Sequence, residues 1–281
     1  MTKKLKQLLK YIIPYNFVVL WTAKSRRNRT WKTVEKKLLE QGALRTIEAQ
    51  DTEPFNYNKA VNYLVEQKCA DSYTIMEGSI PEASLDFCVP FICELYQDQP
   101  LLGIHVGNFV GLSLAFFANL IRTLHPDSRL VSIDPNIRHR GVANPLNTVV
   151  GLLNHFGLQD NCLILTGYSL EINPYVEKQA DANPLVSAFD QGLSCTQQLQ
   201  GLAMISPAAY EFFVIDGNHL GSYLTREIAS ADRLLKPGGL LILDDITPYW
   251  GDIQEVYETI DPTRYHKLGS DGRVGILKKI C

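Results

Sequence analysis

Residues 101–124 of the chain read LLGIHVGNFVGLSLAFFANLIRTL and join two different hydrophobic patterns. Residues 101–106 form a short apolar run, which is typical of a buried strand, and residues 112–124 form a long apolar run, which is typical of a buried helix. Gly107 and Gly111 lie between the two runs, and glycine permits both a tight turn and a close approach of the backbone to a ligand. The segment therefore predicts a strand, a tight turn and a helix.

The same alternation of helical and strand-like patterns continues along the chain from about residue 80. It predicts helices over residues 83–97, 148–156, 223–235 and 253–260 and strands over residues 130–133, 162–166, 212–215, 240–243 and 273–278. Alternating elements of this kind predict an α/β fold, a Rossmann-like, doubly wound and mostly parallel sheet with helices on both faces. Such sheets bind ligands beyond the carboxyl ends of their strands, at the point where the strand order reverses.

The composition is that of a folded globular chain. The 281 residues are 46% hydrophobic and 20% charged, which excludes a disordered protein and a fibrous repeat. The net charge of −3 excludes a generally basic nucleic-acid binder, so we expect no nucleic-acid partner. The six cysteines include no C-x-x-C pair, which excludes a zinc knuckle and favours reduced thiols and a cytoplasmic location.

Charge is distributed unevenly along the chain. Residues 1–40 contain eleven lysines and arginines but two glutamates, so this part carries +9 and the remainder carries −12. We therefore predict a basic, mainly helical N-terminal appendage over residues 1–74, with helices over 30–41 and 57–68, and a second domain over residues 75–281.

Two interpretations of the basic appendage stay open. The apolar run of residues 11–21 is too short to span a membrane, which takes about 20 residues, and basic residues follow it where a signal peptide has small ones. In one interpretation, residues 1–37 bind peripherally to the inner face of the membrane, because apolar side chains enter the interface while basic ones meet anionic lipid. In the other, the appendage packs as helices on the main domain or on the second subunit of a homodimer.

An acidic residue and a helix N-terminus predict a nucleotide-like ligand. Asp134 ends the second strand, 23 residues after Gly111, where a carboxylate accepts hydrogen bonds from both hydroxyls of a ribose. The helix after Gly111 offers free N–H groups to an anion. The spacing G-x-x-x-G differs from the G-x-G-x-x-G of dinucleotide-binding folds, which opposes an NAD-dependent reductase.

Three further carboxylates stand at the ends of two other strands. Asp216 ends one of them, and Asp244 and Asp245 end a neighbouring one, so all three should reach the same cleft. Converging carboxylates repel one another unless a cation or protons intervene, and hard oxygen ligands suit Mg²⁺. The pattern predicts a Mg²⁺ site, and the alternative is that these acids cap the helices that follow them.

Taken together, the motifs resemble those of a known family. The resemblance rests on His105-x-Gly107-x-x-x-Gly111-x-Ser113, Ser132-Ile-Asp134, Phe213-Val-Ile-Asp216-Gly-Asn-His219 and Leu235-Lys-Pro-Gly-Gly-Leu-Leu-Ile-Leu-Asp-Asp245. These motifs are similar to those of class I S-adenosylmethionine (SAM)-dependent methyltransferases, and more narrowly to the metal-dependent O-methyltransferases of small molecules and sugars and the cephalosporin-hydroxylase-like group. The resemblance covers about residues 75–280 and implies a seven-stranded sheet.

The family resemblance also implies which residues serve the reaction. It implies that Asp216 and His219 are catalytic, His219 as a base or as a supporting partner, and that Asp216, Asp244 and Asp245 hold the metal. It implies SAM contacts from Gly78, Ser79, His105, Gly107, Asn108, Gly111, Ser113, Asp134, Tyr168, Ser169 and Asp216. His105 departs from the family, which usually has a supporting carboxylate there, and it is either a hydrogen-bonding substitute or a buried histidine at a strand end.

We therefore expect SAM-dependent, Mg²⁺-assisted O-methylation of a hydroxyl group on a small-molecule or glycan acceptor. The alternatives are an N-methyltransferase, another SAM- and metal-dependent enzyme of the same fold, and a non-catalytic SAM-binding scaffold. Residues 171–210 are long for the connection they make, and we predict that they form a substrate lid or an extra pair of helices.

Overall fold

The structure is a computed structural model that describes residues 54–170 and 198–281. The predicted helix over 30–41, the predicted membrane contact of residues 1–37 and most of the predicted insertion at 171–210 lie outside the described residues.

A seven-stranded sheet forms the centre of the described part of the chain. Its strands are β1 (Leu102–Val106), β2 (Arg129–Asp134), β3 (Cys162–Thr166), β4 (Tyr210–Ile215), β5 (Leu235–Leu243), β6 (Tyr265–Ser270) and β7 (Gly275–Lys279). They are ordered β3-β2-β1-β4-β5-β7-β6. Strands β1 to β5 are parallel to their neighbours, and β7 runs antiparallel to both β5 and β6. The predicted mostly parallel, doubly wound sheet is confirmed.

Helices cover both faces of this sheet. One face packs against α1 (Tyr57–Glu66), α2 (Ser72–Glu77), α3 (Glu82–Leu95), α4 (Leu112–Leu124) and α5 (Pro145–His155). The other face packs against α6 (Gln198–Ile205), α7 (Gly221–Leu234) and α8 (Gly251–Glu258). The described residues therefore form two hydrophobic cores, one on each side of the sheet.

The central strands are apolar along their whole length because both of their faces are covered. In β4, Phe212 and Val214 join the core on the α1–α5 side, and Phe213 and Ile215 join the core on the α6–α8 side. Successive side chains of a strand point to opposite faces, so one continuous apolar run supplies both cores.

Helix α1 belongs to the same compact unit as the sheet. Asn56 caps its N-terminus, since Oδ1 of Asn56 accepts a hydrogen bond from the amide of Lys59 over 3.0 Å. Its fully buried residues Ala60 and Leu64 lie in the core on the α1–α5 side. The sequence alone assigns this helix to the N-terminal appendage, whereas the compact unit that holds the sheet extends from Thr52 to Cys281.

Two elements, α2 and β6, are missing from the sequence prediction, and β5 is longer than predicted. Strand β6 lies at the edge of the sheet and is mostly exposed, so it lacks the apolar pattern by which a strand is recognised. Strand β5 begins at Leu235 and includes Gly238, whose φ of +79° places it in the left-handed region. The segment Lys236–Gly239 therefore looks like a turn in the sequence but forms the first part of the strand. None of the described helices is long and apolar enough to cross a membrane.

We expect the substitution Gly103→Ala to destabilise the fold, because a Cβ atom at this position would lie 2.2 Å from Cζ of the buried Phe212 ring. Forcing a methyl group into a packed core costs about 1–3 kcal/mol. Gly201→Ala is the matched control, since a Cβ atom at this position in α6 would meet no atom within 4 Å. Urea unfolding followed by circular dichroism measures both variants, and equal midpoints for G103A and the wild type would contradict the packing.

Candidate active site

A cavity of about 550 Å³ opens beyond the carboxyl ends of the central strands. It lies where the strand order reverses, because β1 has β2 on one side and β4 on the other. Its walls come from the loops after β1, β2, β3, β4 and β5, from the end of α2 and from α7. This is the position at which a doubly wound sheet binds its ligands, and the cavity is called the cleft below.

The backbones after β1 and β4 meet at the base of the cleft. The amide of Gly107 donates to the carbonyl of Ile133 over 2.9 Å, and the amide of Asp216 donates to the carbonyl of Val106 over 2.9 Å. A Cβ atom on residue 107 would lie 1.7 Å from the carbonyl oxygen of Asp216, and Gly107 has a φ of +89°. Glycine is therefore required at position 107 by the neighbouring backbone.

Asp134 lines the cleft and anchors the loop that follows β1. Its Oδ2 accepts a hydrogen bond from the amide of Asn108 over 2.6 Å, and its Oδ1 accepts one from the amide of Asn136 over 2.5 Å. Burial raises the pKa of Asp134, and these backbone hydrogen bonds oppose that rise. Asn108 also lines the cleft, and its Nδ2 has no hydrogen-bond partner among the described residues.

Three donor groups converge at the ends of β4 and β5. Asp216, His219 and Asp245 each place a ligand atom within 4.8 Å of the others. Nε2 of His219 lies 2.7 Å from Oδ2 of Asp245. Asp245 has a φ of +60°, a left-handed conformation that is uncommon for a residue with a side chain and that clusters at functional sites. The three groups fit a divalent cation, because two carboxylates and an imidazole are ordinary metal ligands.

Asp244, which the sequence predicts as a metal ligand, does not belong to this group of converging donor atoms. Its Oδ1 accepts a hydrogen bond from Nε of Arg273 over 2.9 Å, and its Oδ2 accepts one from Nη2 over 2.8 Å. The same guanidinium lies 3.1 Å from Oδ1 of Asp245. Both oxygens of Asp244 are therefore used by an arginine, and His219 takes its place among the converging donors.

Carboxylates crowd one another at this end of the cleft. Burial raises the pKa of Asp216 well above its usual range, and the neighbouring charges of Asp244 and Asp245 add to the rise, while Arg273 opposes it. Burial also raises the pKa of Asp244, against the hydrogen bond from Arg273. One arginine faces three carboxyl groups, so a bound cation or proton would relieve the remaining repulsion.

Two aromatic residues form a wall beside His219. The ring of Trp250 stacks on the imidazole of His219 at a centroid distance of 4.1 Å and an interplanar angle of 29°. The ring of Tyr249 meets Trp250 edge-on at 4.9 Å and is 83% exposed. Both aromatic residues line the cleft, so the acidic group has a flat apolar surface next to it.

The opposite wall of the cleft is formed at the end of β3. Tyr168 and Ser169 line the cleft there, as the resemblance implies, together with Tyr223 and Glu227 of α7. Gly78 lines the cleft as well, and a Cβ atom at this position would lie 2.5 Å from the ring of Phe109.

Four of the predicted contact residues do not line the cleft. Ser79 is buried, and its hydroxyl donates to the carbonyl of Ile75 over 2.7 Å. Gly111 has a φ of +90° and precedes the first turn of α4, in which Ser113 is buried. His105 is the fourth of these residues, and the alternation of side chains along β1 turns it away from the cleft.

His105 points away from the cleft because of the alternation of β1. Its neighbours Ile104 and Val106 face the α6–α8 side, and its own ring lies 6.1 Å from the ring of Phe117 of α4 on the other side. The side chain is fully buried, and neither ring nitrogen has a hydrogen-bond partner among the described residues. Burial lowers the pKa of His105 to about 3, with the backbone of Gly107 acting in the opposite direction. The geometry matches the interpretation of a buried histidine at a strand end.

Sequence reasoning missed Arg273, Glu227 and Trp250 as parts of the site. A signal for Glu227 existed, because it occupies a position between Leu224 and Ile228 on the apolar face of α7. A charge at such a position is rarely without a partner or a function. Arg273 and Trp250 carry no comparable signal, since Arg273 lies in a turn and Trp250 in a short 3-10 helix, and neither segment has an apolar pattern that a charge or ring would interrupt.

Comparison with known proteins gives the reaction class. A family model described as a methyltransferase domain matches residues 104–246, just over half of the chain. The chain therefore belongs to this methyltransferase family, which confirms the resemblance to class I methyltransferases. A search of curated proteins gives no significant match.

Two solved structures share the fold. An O-methyltransferase from Bacillus cereus, solved in complex with S-adenosylhomocysteine (SAH), is 15% identical, and the match covers 90% of this chain and 99% of that one with a TM-score of 0.50. An SAH-bound methyltransferase from Podospora anserina is 11% identical, and the match covers 96% of this chain and 98% of that one with a TM-score of 0.52. At such identities the likeness shows a common fold.

The buried imidazole of His105 makes the stability of the protein depend on pH. The unfolded chain binds a proton on this residue near pH 6.5, whereas the folded chain does so near pH 3, so the unfolded state binds more protons between these values. We expect the free energy of unfolding to fall by about 1.4 kcal/mol per pH unit through this proton as the pH decreases below 6.5.

The variant His105→Leu tests this expectation. It lacks the titrating group at residue 105, so the unfolding free energy of the wild type minus that of H105L should fall steadily from pH 7 to pH 4 in urea titrations. The exposed His266, changed to Leu, is the matched control. A difference between wild type and H105L that does not vary with pH would refute the buried, neutral state.

Proposed function

We propose that the chain transfers the methyl group of SAM to a hydroxyl oxygen of a small molecule or a sugar. Membership of the methyltransferase family supports the reaction class, and the O-methyltransferase of similar fold that was solved with SAH supports SAM as the donor and oxygen as the acceptor. The observation that carries the proposal is that Gly107 and Asp134 line the same cavity as Asp216, His219 and Asp245.

The loops after β1 and β2 offer the contacts that the nucleoside of SAM requires. Each oxygen of Asp134 accepts one backbone hydrogen bond, and a carboxylate oxygen has a second lone pair for a ribose hydroxyl. The unpartnered Nδ2 of Asn108 adds a donor in the same part of the cleft. A ribose bound at Asp134 would bring the sulfonium into the cavity that Asp216, His219 and Asp245 also line.

Catalysis then depends mainly on alignment, because the sulfonium already activates the methyl group. The acceptor oxygen must lie in line with the bond between sulfur and carbon. Nε2 of His219 donates to Asp245, so Nδ1 is the nitrogen that can take the proton from the acceptor hydroxyl. Asp245 would stabilise the imidazolium that results, and the stacked Trp250 limits the rotation of the ring.

As an alternative to the His219 base, we propose that Mg²⁺ binds between Asp216, His219 and Asp245, where it would occupy the lone pair of His219 and would itself activate the acceptor hydroxyl. Support comes from the convergence of their donor atoms within 4.8 Å and from the crowding of negative charge around Asp216. A bound cation would lower the pKa of an acceptor hydroxyl that ligates it. The two carboxylates suit Mg²⁺ and Mn²⁺, and the imidazole nitrogen suits a transition metal, so both ions belong in the test.

The variant Asp216→Asn tests the assignment of the acidic end of the cleft. We expect methyl transfer to fall by at least about a hundredfold, because the variant replaces one of the three converging donor groups by an amide, which can neither ionise nor bind a cation as strongly. SAH binding, measured by calorimetry, should change little, since the loops of Asp134 and Asn108 are untouched. Asp160→Asn, on an exposed turn, is the control. Full turnover in D216N would remove Asp216 from the mechanism.

A pair of variants tests which residues hold the cation. After treatment with a chelator, the wild type should bind Mg²⁺ or Mn²⁺ in calorimetry, and His219→Ala should bind the same ion at least about tenfold more weakly. Asp244→Asn should keep most of the affinity, because Arg273 already uses both oxygens of Asp244. Loss of binding in D244N but not in H219A would restore the ligand set predicted from the sequence. If turnover is undiminished after chelation, no cation is required, and the His219–Asp245 pair alone would take the proton from the acceptor hydroxyl.

A further inference from the structure

We propose that Glu227 binds the exocyclic amino group of the cofactor's adenine through its Oε2 atom and thereby makes the cleft selective for an amino-purine. This inference rests on the proposed use of SAM and adds a specificity-determining residue to it.

Glu227 is a buried acid on the wall of the cleft. It lies on α7 and is 0% exposed, yet it is one of the residues that line the cavity. It contacts Ser169, which follows β3, whereas α7 follows β4. Since β2 and β1 lie between β3 and β4 in the sheet, this contact joins segments from either side of β2, which ends at Asp134, and β1, which precedes Gly107.

A chain of hydrogen bonds holds one oxygen of Glu227. The amide of Leu170 donates to the hydroxyl of Tyr223 over 3.3 Å, and the hydroxyl groups of Tyr223 and Ser169 lie 3.2 Å apart. Ser169 donates its own proton to Oε1 of Glu227 over 2.5 Å. A backbone N–H group can act only as a donor, so the hydrogen bonds point from Leu170 towards the carboxyl group of Glu227. It fixes the orientation of Glu227 and uses Oε1 as an acceptor.

The second oxygen of Glu227 is left without a partner. Oε2 is buried, and no described residue forms a hydrogen bond with it. Burial raises the pKa of Glu227 to about 8, against the hydrogen bond from Ser169, so the carboxyl group of the empty cleft holds a proton at pH 7, and an N–H donor on the ligand would favour its ionised form. A buried carboxyl oxygen in a ligand cavity is costly for the empty protein unless a donor fills the site. The missing donor is therefore expected on the ligand.

The position and surroundings of Glu227 favour the purine amino group as that donor. With the ribose bound at Asp134, as proposed above, the base has to occupy another part of the same cavity, and Glu227 is one of the residues that line it. The side chains of Tyr168 and Tyr223 line the same wall, and tyrosine rings offer flat apolar surface to a purine. Adenine carries one exocyclic N–H₂ group, and a carboxyl oxygen is a suitable acceptor for it.

A comparison of two ligands tests the proposal with binding as the readout. SAH carries the 6-amino group, whereas S-inosylhomocysteine carries an oxygen at this position and a proton on the neighbouring N1. We expect the wild type to bind SAH at least about tenfold more tightly in calorimetry, because a site built for a donor rejects an analogue that lacks it. The ratio of the two dissociation constants is the quantity of interest, since a general loss of affinity cancels in it.

The variant Glu227→Gln should reverse this preference or abolish it. Ser169 donates to the near oxygen, so the glutamine must turn its amide oxygen towards Ser169 and its N–H₂ group towards the base. The N–H₂ group of glutamine cannot form a hydrogen bond with the amino group of SAH, since both are donors, but it can donate to the 6-oxygen of the inosine analogue. If Glu227 had only a structural role, the substitution would weaken the binding of both ligands alike and leave the ratio of their dissociation constants as it is in the wild type.

The control is the same substitution at another glutamate of the cleft. Glu77 lines the cleft and forms an ion pair with Arg140 at 2.8 Å, so Glu77→Gln should leave the ratio unchanged. If E227Q fails to fold, Glu227→Asp, which retracts the carboxyl group by one methylene, should lower the ratio instead. Equal affinity of the wild type for both ligands, or an unchanged ratio in a folded Glu227 variant, overturns the role of Glu227. Failure of the wild type to bind either ligand overturns the proposed use of SAM instead.

Discussion

The backbone contact between Gly107 and Asp216 is the constraint on which the site depends. No side chain fits between them, because a Cβ atom on residue 107 would overlap the carbonyl oxygen of Asp216. This contact brings the loop after β1 against the loop after β4 at the point where the strand order reverses. The groups that suit a nucleoside and the groups that suit an acceptor thus share one cavity, although they come from segments more than eighty residues apart in the sequence.

Arg273 brings a further segment of the chain to the site, 29 residues after Asp244. It belongs to the turn before the last strand, and its guanidinium holds both oxygens of Asp244 and one oxygen of Asp245. The antiparallel hairpin of β6 and β7 is therefore part of the active site as well as the edge of the sheet. Arg273 also compensates part of the charge of the buried carboxylates, which would otherwise oppose folding when the cleft is empty.

Much of the fold could be predicted from the sequence, because the central elements have strong and regular patterns. Helix α4 and strand β3 begin and end at the predicted residues, and Asp134 and Asp216 stand at the strand ends that form the cleft. The edge strand β6 could not be predicted, since an exposed edge needs no apolar alternation. A strand that is buried on both faces is apolar along its length and can be recognised in the sequence, whereas an exposed edge strand cannot.

The side-chain roles were harder to predict than the strands. His105 belongs to a predicted motif but faces the core, because neighbouring residues of a strand point to opposite sides. Asp244 and Asp245 are adjacent in the same way, and Asp245, with its left-handed backbone, is the one that meets His219. The direction of a carboxylate at a strand end is set by the local backbone and by a distant arginine, and neither is visible in the spacing of residues.

The stack of Trp250 on His219 gives the protein a built-in optical reporter. The sequence contains three tryptophans, and the other two, Trp21 and Trp31, lie in the N-terminal segment. An indole ring 4.1 Å from an imidazole senses the charge of that imidazole through its excited state. Protonation of His219, or capture of its lone pair by an ion, would therefore change the emission of Trp250 without any label. With Trp21 and Trp31 replaced, the fluorescence of the protein would report directly on the residue that the proposed mechanism uses as a base.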